Sequence, residues 1–163
     1  MRARLFTAVA VVVLLSGCGL FDRDRPPPLT DRFPDTLGGE PFEVDTDVGG
    51  MFSTETDIIP DLGVELSDVV VVSCPGSWPD DAGQLGCIAL QYTGVDERLL
   101  AETYIGRLRE QGSVLEDGWR GGRRGFVRDD GVLGDTFIFI RDDALYVLNG
   151  DEELMDELIA AIP

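Results

Sequence analysis

The sequence predicts an α+β domain. Its core is a largely antiparallel sheet of about six strands with two helices laid on one face, in the order β-β-α-β-β-β-β-α. Three observations predict it. Apolar stripes at helical spacing follow Asp96 and Asp151. Short β-branched or alternating runs fill most of the rest of residues 63–163. The connections after the first helix are of hairpin length, which favours antiparallel pairing and helices gathered on one side.

The domain is expected to begin near Gly63. Val69 to Val72 is a run of β-branched residues and reads as a central strand. Pro75, Gly76 and Pro79 interrupt the chain. Ile88, Leu90 and Tyr92 then alternate with Ala89 and Gln91, a second strand. Asp96 is placed to accept from the free N–H groups of a first helical turn. The helix runs to Gln111, with Leu100, Ala101, Tyr104, Ile105 and Leu108 along one stripe. Gly112 ends it, because glycine takes the left-handed conformation without steric cost. Ser113 to Trp119 and Arg123 to Arg128 read as strands around Gly121-Gly122. Phe137 to Ile140 is apolar on both faces. Asp142-Asp143 turns the chain, and Ala144 to Leu148 returns. The last helix starts at Asp151 and aligns Leu154, Met155, Leu158, Ile159 and Ile162. Its opening acids suit the positive end of the helix dipole.

Residues 18–62 read as a flexible acidic tether. Positions 19–62 hold six of the nine prolines, eleven acids and three Arg, which favours an extended chain. An edge strand is foreseen where Phe42, Val44 and Thr46 alternate with acids. Met51, Phe52, Ile58 and Ile59 are candidates to pin this arm to the domain. Asp45-Thr46-Asp47-Val48-Gly49 has the opening of a calcium loop. The twelfth position is Thr56 rather than a bidentate Glu, so no metal site is expected.

Residues 1–17 read as a signal peptide. Arg2 and Arg4 precede an apolar stretch from Leu5 to Leu15, followed by Ser16-Gly17-Cys18. Eleven residues rise only ~17 Å as a helix, short of the ~30 Å hydrocarbon core. Leu15-Ser16-Gly17-Cys18 resembles the lipobox of bacterial lipoproteins. That resemblance covers residues 1–18 only. It implies cleavage before Cys18, acylation of its thiol, and a place on the extracytoplasmic side of the cell membrane. The expected partners are the membrane, through lipid on Cys18, and another envelope protein.

The formal charge of −18 becomes −20 once Arg2 and Arg4 are removed. Such acidity argues against nucleic acid as a partner. The chain has no His and no Lys. That excludes Ser-His and Cys-His nucleophile pairs, imidazole bases, P-loops and Schiff bases. No catalytic residue and no cofactor is expected. Cys74 and Cys87 remain as an even pair in an oxidising compartment and are expected to form a disulfide. The alternative is two buried free thiols.

Two surface features are candidate partner contacts. Trp78 lies in the loop between those cysteines, and Trp is a frequent interface anchor; alternatively it folds back over the sheet. Arg120, Arg123 and Arg124 belong to a cluster with Arg107, Arg109 and Arg128. Such a cluster either captures an anion or pairs with Asp129, Asp130, Asp142 and Asp143. A non-catalytic binding or assembly module is the leading functional expectation. An accessory lipoprotein without a ligand pocket and a hydrolase built on paired carboxylates are the alternatives.

Overall fold

The computed structural model describes residues 26–46, 53–74, 85–130 and 134–163. A six-stranded sheet, antiparallel throughout, forms the centre. Its strands are β3 (Val69–Ser73), β4 (Gly86–Tyr92), β5 (Leu115–Arg120), β6 (Arg123–Asp129), β7 (Asp135–Arg141) and β8 (Ala144–Asn149). They lie in the order β3-β4-β8-β7-β6-β5. Two short strands, β1 (Thr36–Leu37) and β2 (Glu40–Pro41), form a separate hairpin. The helices are α1 (Ser53–Asp57), α2 (Ile59–Leu62), α3 (Glu97–Glu110) and α4 (Glu152–Ala161). From β3 onward the element order is the expected one.

Local chemistry sets the boundaries. The Asp96 carboxylate accepts from the N–H groups of Arg98 and Leu99, and Asp151 accepts likewise from Glu153 and Leu154. Each satisfies donors that the first helical turn leaves free. Gly121 and Gly122 both have positive φ, 53° and 81°. That is the two-residue turn whose twist matches a hairpin, and it joins β5 to β6 with Arg120 opposite Arg123.

The register gives the sheet two distinct ends. Val69 pairs with Tyr92, Gln91 with Ala144, and Arg141 with Ala144. These residues and the Gly121-Gly122 turn mark one end, called the Tyr92 end. Ser73, Gly86, Asn149, Asp135, Asp129 and Leu115 mark the other, the Cys87 end.

The helices lie on opposite faces, not on one face as the sequence suggests. Met155, Leu158, Ile159 and Ile162 from the end of the chain pack with Ala89, Phe137, Phe139, Tyr146 and Leu148. Leu100, Tyr104, Ile105 and Leu108 of α3 pack with Leu90, Tyr92, Ile138 and Leu145. Successive strand residues point to opposite faces, so these are two separate layers. The face under α4 is face one and that under α3 is face two. The physical reason is the continuous apolar run Phe137–Ile140, which needs cover on both sides. Each buried Leu, Ile or Phe stabilises by ~1.5–3 kcal/mol, so leaving either face bare is costly.

The folded body also starts well before Gly63. Leu29, Leu37, Ile58, Ile59 and Leu62 are all buried. Leu29 and Leu37 join the face-one layer with Phe33, Phe42 and Val44 against it; Ile58, Ile59 and Leu62 join face two. The arm begins at the Tyr92 end, where the Leu29 N–H donates to Gln91 Oε1 at 3.2 Å. It reaches the Cys87 end at Asp45, which exchanges backbone hydrogen bonds with Ser73. Thus the described part of the expected tether is packed onto the sheet. Proline and acid content predicted extension, and the sparse apolar residues between them outweigh it. Met51 and Phe52 lie outside the described residues, as do residues 1–25.

Candidate functional site

The arginine cluster is divided among structural tasks. Arg120 on β5 reaches Glu152 at 3.2 Å and Asp156 at 3.5 Å on α4. The Gly121 N–H donates to Asp156 Oδ1 at 3.2 Å. Arg123 donates from Nε to the Ile159 carbonyl at 3.2 Å and from Nη2 to the Ile162 carbonyl. Those carbonyls lie at the C-terminal end of α4, where a cation satisfies free acceptors and suits the dipole. Arg124 pairs with Asp117 across the β5–β6 hairpin at 3.0 Å, both largely exposed. Arg107 meets Asp61 of α2 at 2.7 Å, and Arg128 meets Asp130 at 2.7 Å. Five of the six arginines, all but Arg109, are therefore paired with carboxylates or helix carbonyls. Of the expected carboxylates, Asp130 takes Arg128, Asp143 takes Arg32 from outside the cluster, and Asp142 lies 3.9 Å from Arg141, also outside it.

Cys74 and Cys87 are joined in a disulfide, with Cα atoms 5.1 Å apart, within the usual range. It ties the first residue after β3 to the second residue of β4 at the Cys87 end. Trp78 and the rest of the loop at 75–84 lie outside the described residues.

Two buried polar networks hold the arm, and nothing local in the sequence signals either. On face one, Arg32 Nη2 donates to Asp143 Oδ1 at 2.7 Å. Gln91 Nε2 donates to both oxygens of the same carboxylate, at 3.2 and 3.0 Å. Arg32 Nε donates to the Pro27 carbonyl at 2.9 Å. Burial works against the guanidinium charge. The hydrogen bond to Asp143 and the neighbouring Tyr146 outweigh it, so the Arg32 pKa lies above the ordinary arginine value. The Tyr146 hydroxyl sits beside this guanidinium without hydrogen-bond geometry. On face two, the Tyr92 hydroxyl donates to the Glu55 carbonyl at 2.8 Å, and the Tyr104 hydroxyl to Glu55 Oε1 at 3.0 Å. Burial, then the Glu55 charge, pushes both phenols above the ordinary tyrosine range.

What remains open is part of face two. α3 covers the middle strands and leaves β5 and β6 without a helix over them. Between the first turns of α3 and these strands is an open cleft of about 420 Å³. Ala101, Phe126 and Ile140 give it an apolar floor, and Arg98, Arg124 and Glu97 charge its rim. Trp119 stands opposite Arg124 in the register and is 71% exposed. Its strand, β5, is the last of the sheet. The two-residue turn makes Arg120–Arg123 the hydrogen-bonded closing pair, so alternation turns the backbone of Trp119, Asp117 and Leu115 outward. The alternation Leu115, Asp117, Trp119 was the available signal for this surface. It fixes which side Trp119 takes but not that the helix stops short of it.

Compared with known proteins, the chain matches no family model, no curated protein and no solved structure. Among the described residues, no group of three or more acids or cysteines is placed to hold a metal ion. No helix among them is long and apolar enough to cross a membrane.

Proposed function

We propose that this chain is a lipid-anchored protein of the bacterial envelope. Its domain acts as a non-catalytic binding or assembly module on the extracytoplasmic side. The observation that carries the reading is Leu15-Ser16-Gly17-Cys18 at the end of a short apolar segment opened by two arginines. The Cys74–Cys87 disulfide supports an oxidising compartment. The open part of face two supports binding. A partner there finds an apolar floor at Ala101, Phe126 and Ile140, and a free strand edge on β5. An exposed sheet edge is a ready template for an added strand. The partner class is another envelope protein.

The test is crosslinking and capture from native membranes. The acylated chain is compared with Cys18→Ser and with Ala101→Arg, which fills the cleft with a charged side chain. Cys18→Ser is expected to leave the membrane fraction, with mass spectrometry finding acyl chains on Cys18 of the native protein. Ala101→Arg is expected to stay at the membrane and lose its crosslinked partner. An N-terminus that retains residues 1–17 would sink the anchor. Unchanged capture by Ala101→Arg would sink the cleft.

A further inference from the structure

We infer that the Tyr92 end of the sheet rests on the bilayer surface, with Trp119, Leu99 and Leu66 in the interfacial layer. The inference rests on the lipid anchor proposed above and goes beyond it by orienting the domain. Its first basis is the length of chain available. Cys18 and Pro26 are eight residues apart. Fully extended, that chain spans at most ~26–29 Å. It joins the body where Leu29 meets Gln91 and Arg32 meets Asp143, all at the Tyr92 end. A strand of seven residues such as β4 is itself ~23 Å long. With the domain inverted, the chain would spend nearly all its reach climbing past the sheet. With the Tyr92 end down, it has length to spare.

The second basis is independent of the anchor. Five large apolar side chains are exposed among the described residues: Leu66, Val70, Leu99, Val114 and Trp119. All but Val114 belong to the Tyr92 end. Leu66 lies just before Val69, Val70 pairs with Gln91, Leu99 is in the first turn of α3, and Trp119 is next to the Gly121-Gly122 turn. Scattered single apolar residues need no explanation, but a collection at one end of a molecule does.

At the Tyr92 end, Arg98 pairs with Glu102, Arg124 with Asp117, and Arg141 with Asp142. At the Cys87 end, Arg128 pairs with Asp130. Both ends carry acids and arginines, so the exposed apolar side chains and not the charge set the two ends apart. Trp with a nearby Arg suits the interface, where the ring is half-wet and the guanidinium reaches phosphate. Four strand spacings, ~19 Å, separate β4 from β5, so the chain's entry point and Trp119 sit on a plane together without straining the anchor.

The test uses the full acylated chain in vesicles of phosphatidylethanolamine and phosphatidylglycerol containing phosphatidylcholine brominated in its acyl chains. Trp78→Phe leaves Trp119 as the only Trp, and Trp119→Phe leaves Trp78. Trp119 emission is expected to be quenched by the bromolipid and Trp78 emission much less. Leu66→Glu with Leu99→Glu, both exposed positions that leave the core intact, is expected to relieve the quenching of Trp119. If the acylated chain floats with the vesicles and Trp119 stays unquenched, the orientation is wrong and the anchor stands. If Cys18→Ser floats equally well, the anchor fails and takes this orientation with it. Shielding of Trp119 from acrylamide in native membranes but not in protein-free vesicles would assign this end to a protein and overturn the lipid contact.

Discussion

Two ion pairs in this molecule look alike on paper and differ in what they hold. Arg32–Asp143 joins residues 111 positions apart at 2.7 Å, with side chains 1% and 9% exposed. Arg124–Asp117 joins neighbours in a hairpin at 3.0 Å, with side chains 72% and 67% exposed. The first is ringed by further bonds from Gln91 and to Pro27. The second is solvated. The arginine-rich stretch is the conspicuous feature of the sequence, yet its member Arg124 only dresses the surface of the β5–β6 hairpin. The inconspicuous Arg32 fastens the N-terminal arm to the sheet.

The sharpest way to break this contrast is Asp143→Ala. It leaves the Arg32 guanidinium buried and uncompensated, and removal of one partner from a buried pair costs ~3–5 kcal/mol. Urea unfolding of the domain is expected to show a loss of that size. Replacing both partners, Arg32→Met with Asp143→Leu, is expected to recover most of it, because the desolvated charge is gone. If Asp143→Ala costs no more than a surface pair, the network does not hold the arm.

The sequence made the sheet legible and the layers illegible, for reasons that particular residues explain. Alternation at Ile88, Leu90 and Tyr92 and the caps at Asp96 and Asp151 fix elements through contacts between near neighbours. Which helix goes to which face depends on partners far along the chain. One clue was present: Phe137 to Ile140 is apolar at every position, and both sides of β7 are indeed buried. The arm reads as a tether because its apolar residues are sparse. Leu29, Phe33 and Leu37 recur at fours within Pro- and Asp-rich sequence, and their burial depends on a sheet formed much later in the chain. Of the candidate surface, Arg124 was visible as a charge. Trp119 reads in the sequence only as the end of a strand, because its exposure depends on the path α3 takes over the sheet.

A smaller effect sharpens the comparison from face two. Tyr92 and Tyr104 stay neutral in the folded protein well above the ordinary phenol range, chiefly through burial. The sign follows from linkage. Below pH ~10 neither folded nor unfolded tyrosine is ionised, and their contribution is fully present. As pH rises past ~10 the unfolded chain ionises and the folded one does not, so stability falls by up to ~1.4 kcal/mol per pH unit for each group. Tyr104→Phe is expected to flatten that alkaline fall, at a cost near neutrality of only ~1 kcal/mol for the lost bond to Glu55. An unchanged alkaline slope in urea titrations at pH 8 and pH 11 would mean that Tyr104 ionises as freely in the folded state as in the unfolded one.

The smallest effect belongs to Arg124→Ala. An exposed pair across a hairpin contributes ~0–1 kcal/mol, and salt screens it. Unfolding midpoints in low and high salt are expected to lie close to those of the parent chain. The substitution matters for location instead. Arg124 stands opposite Trp119 in the register, at the end proposed to meet the bilayer. Arg124→Ala is expected to weaken the contact of the Tyr92 end with anionic vesicles while leaving stability almost unchanged. A large loss of stability would place Arg124 in the same class as Arg32 and erase the distinction between a pair that fastens the fold and one that dresses its surface.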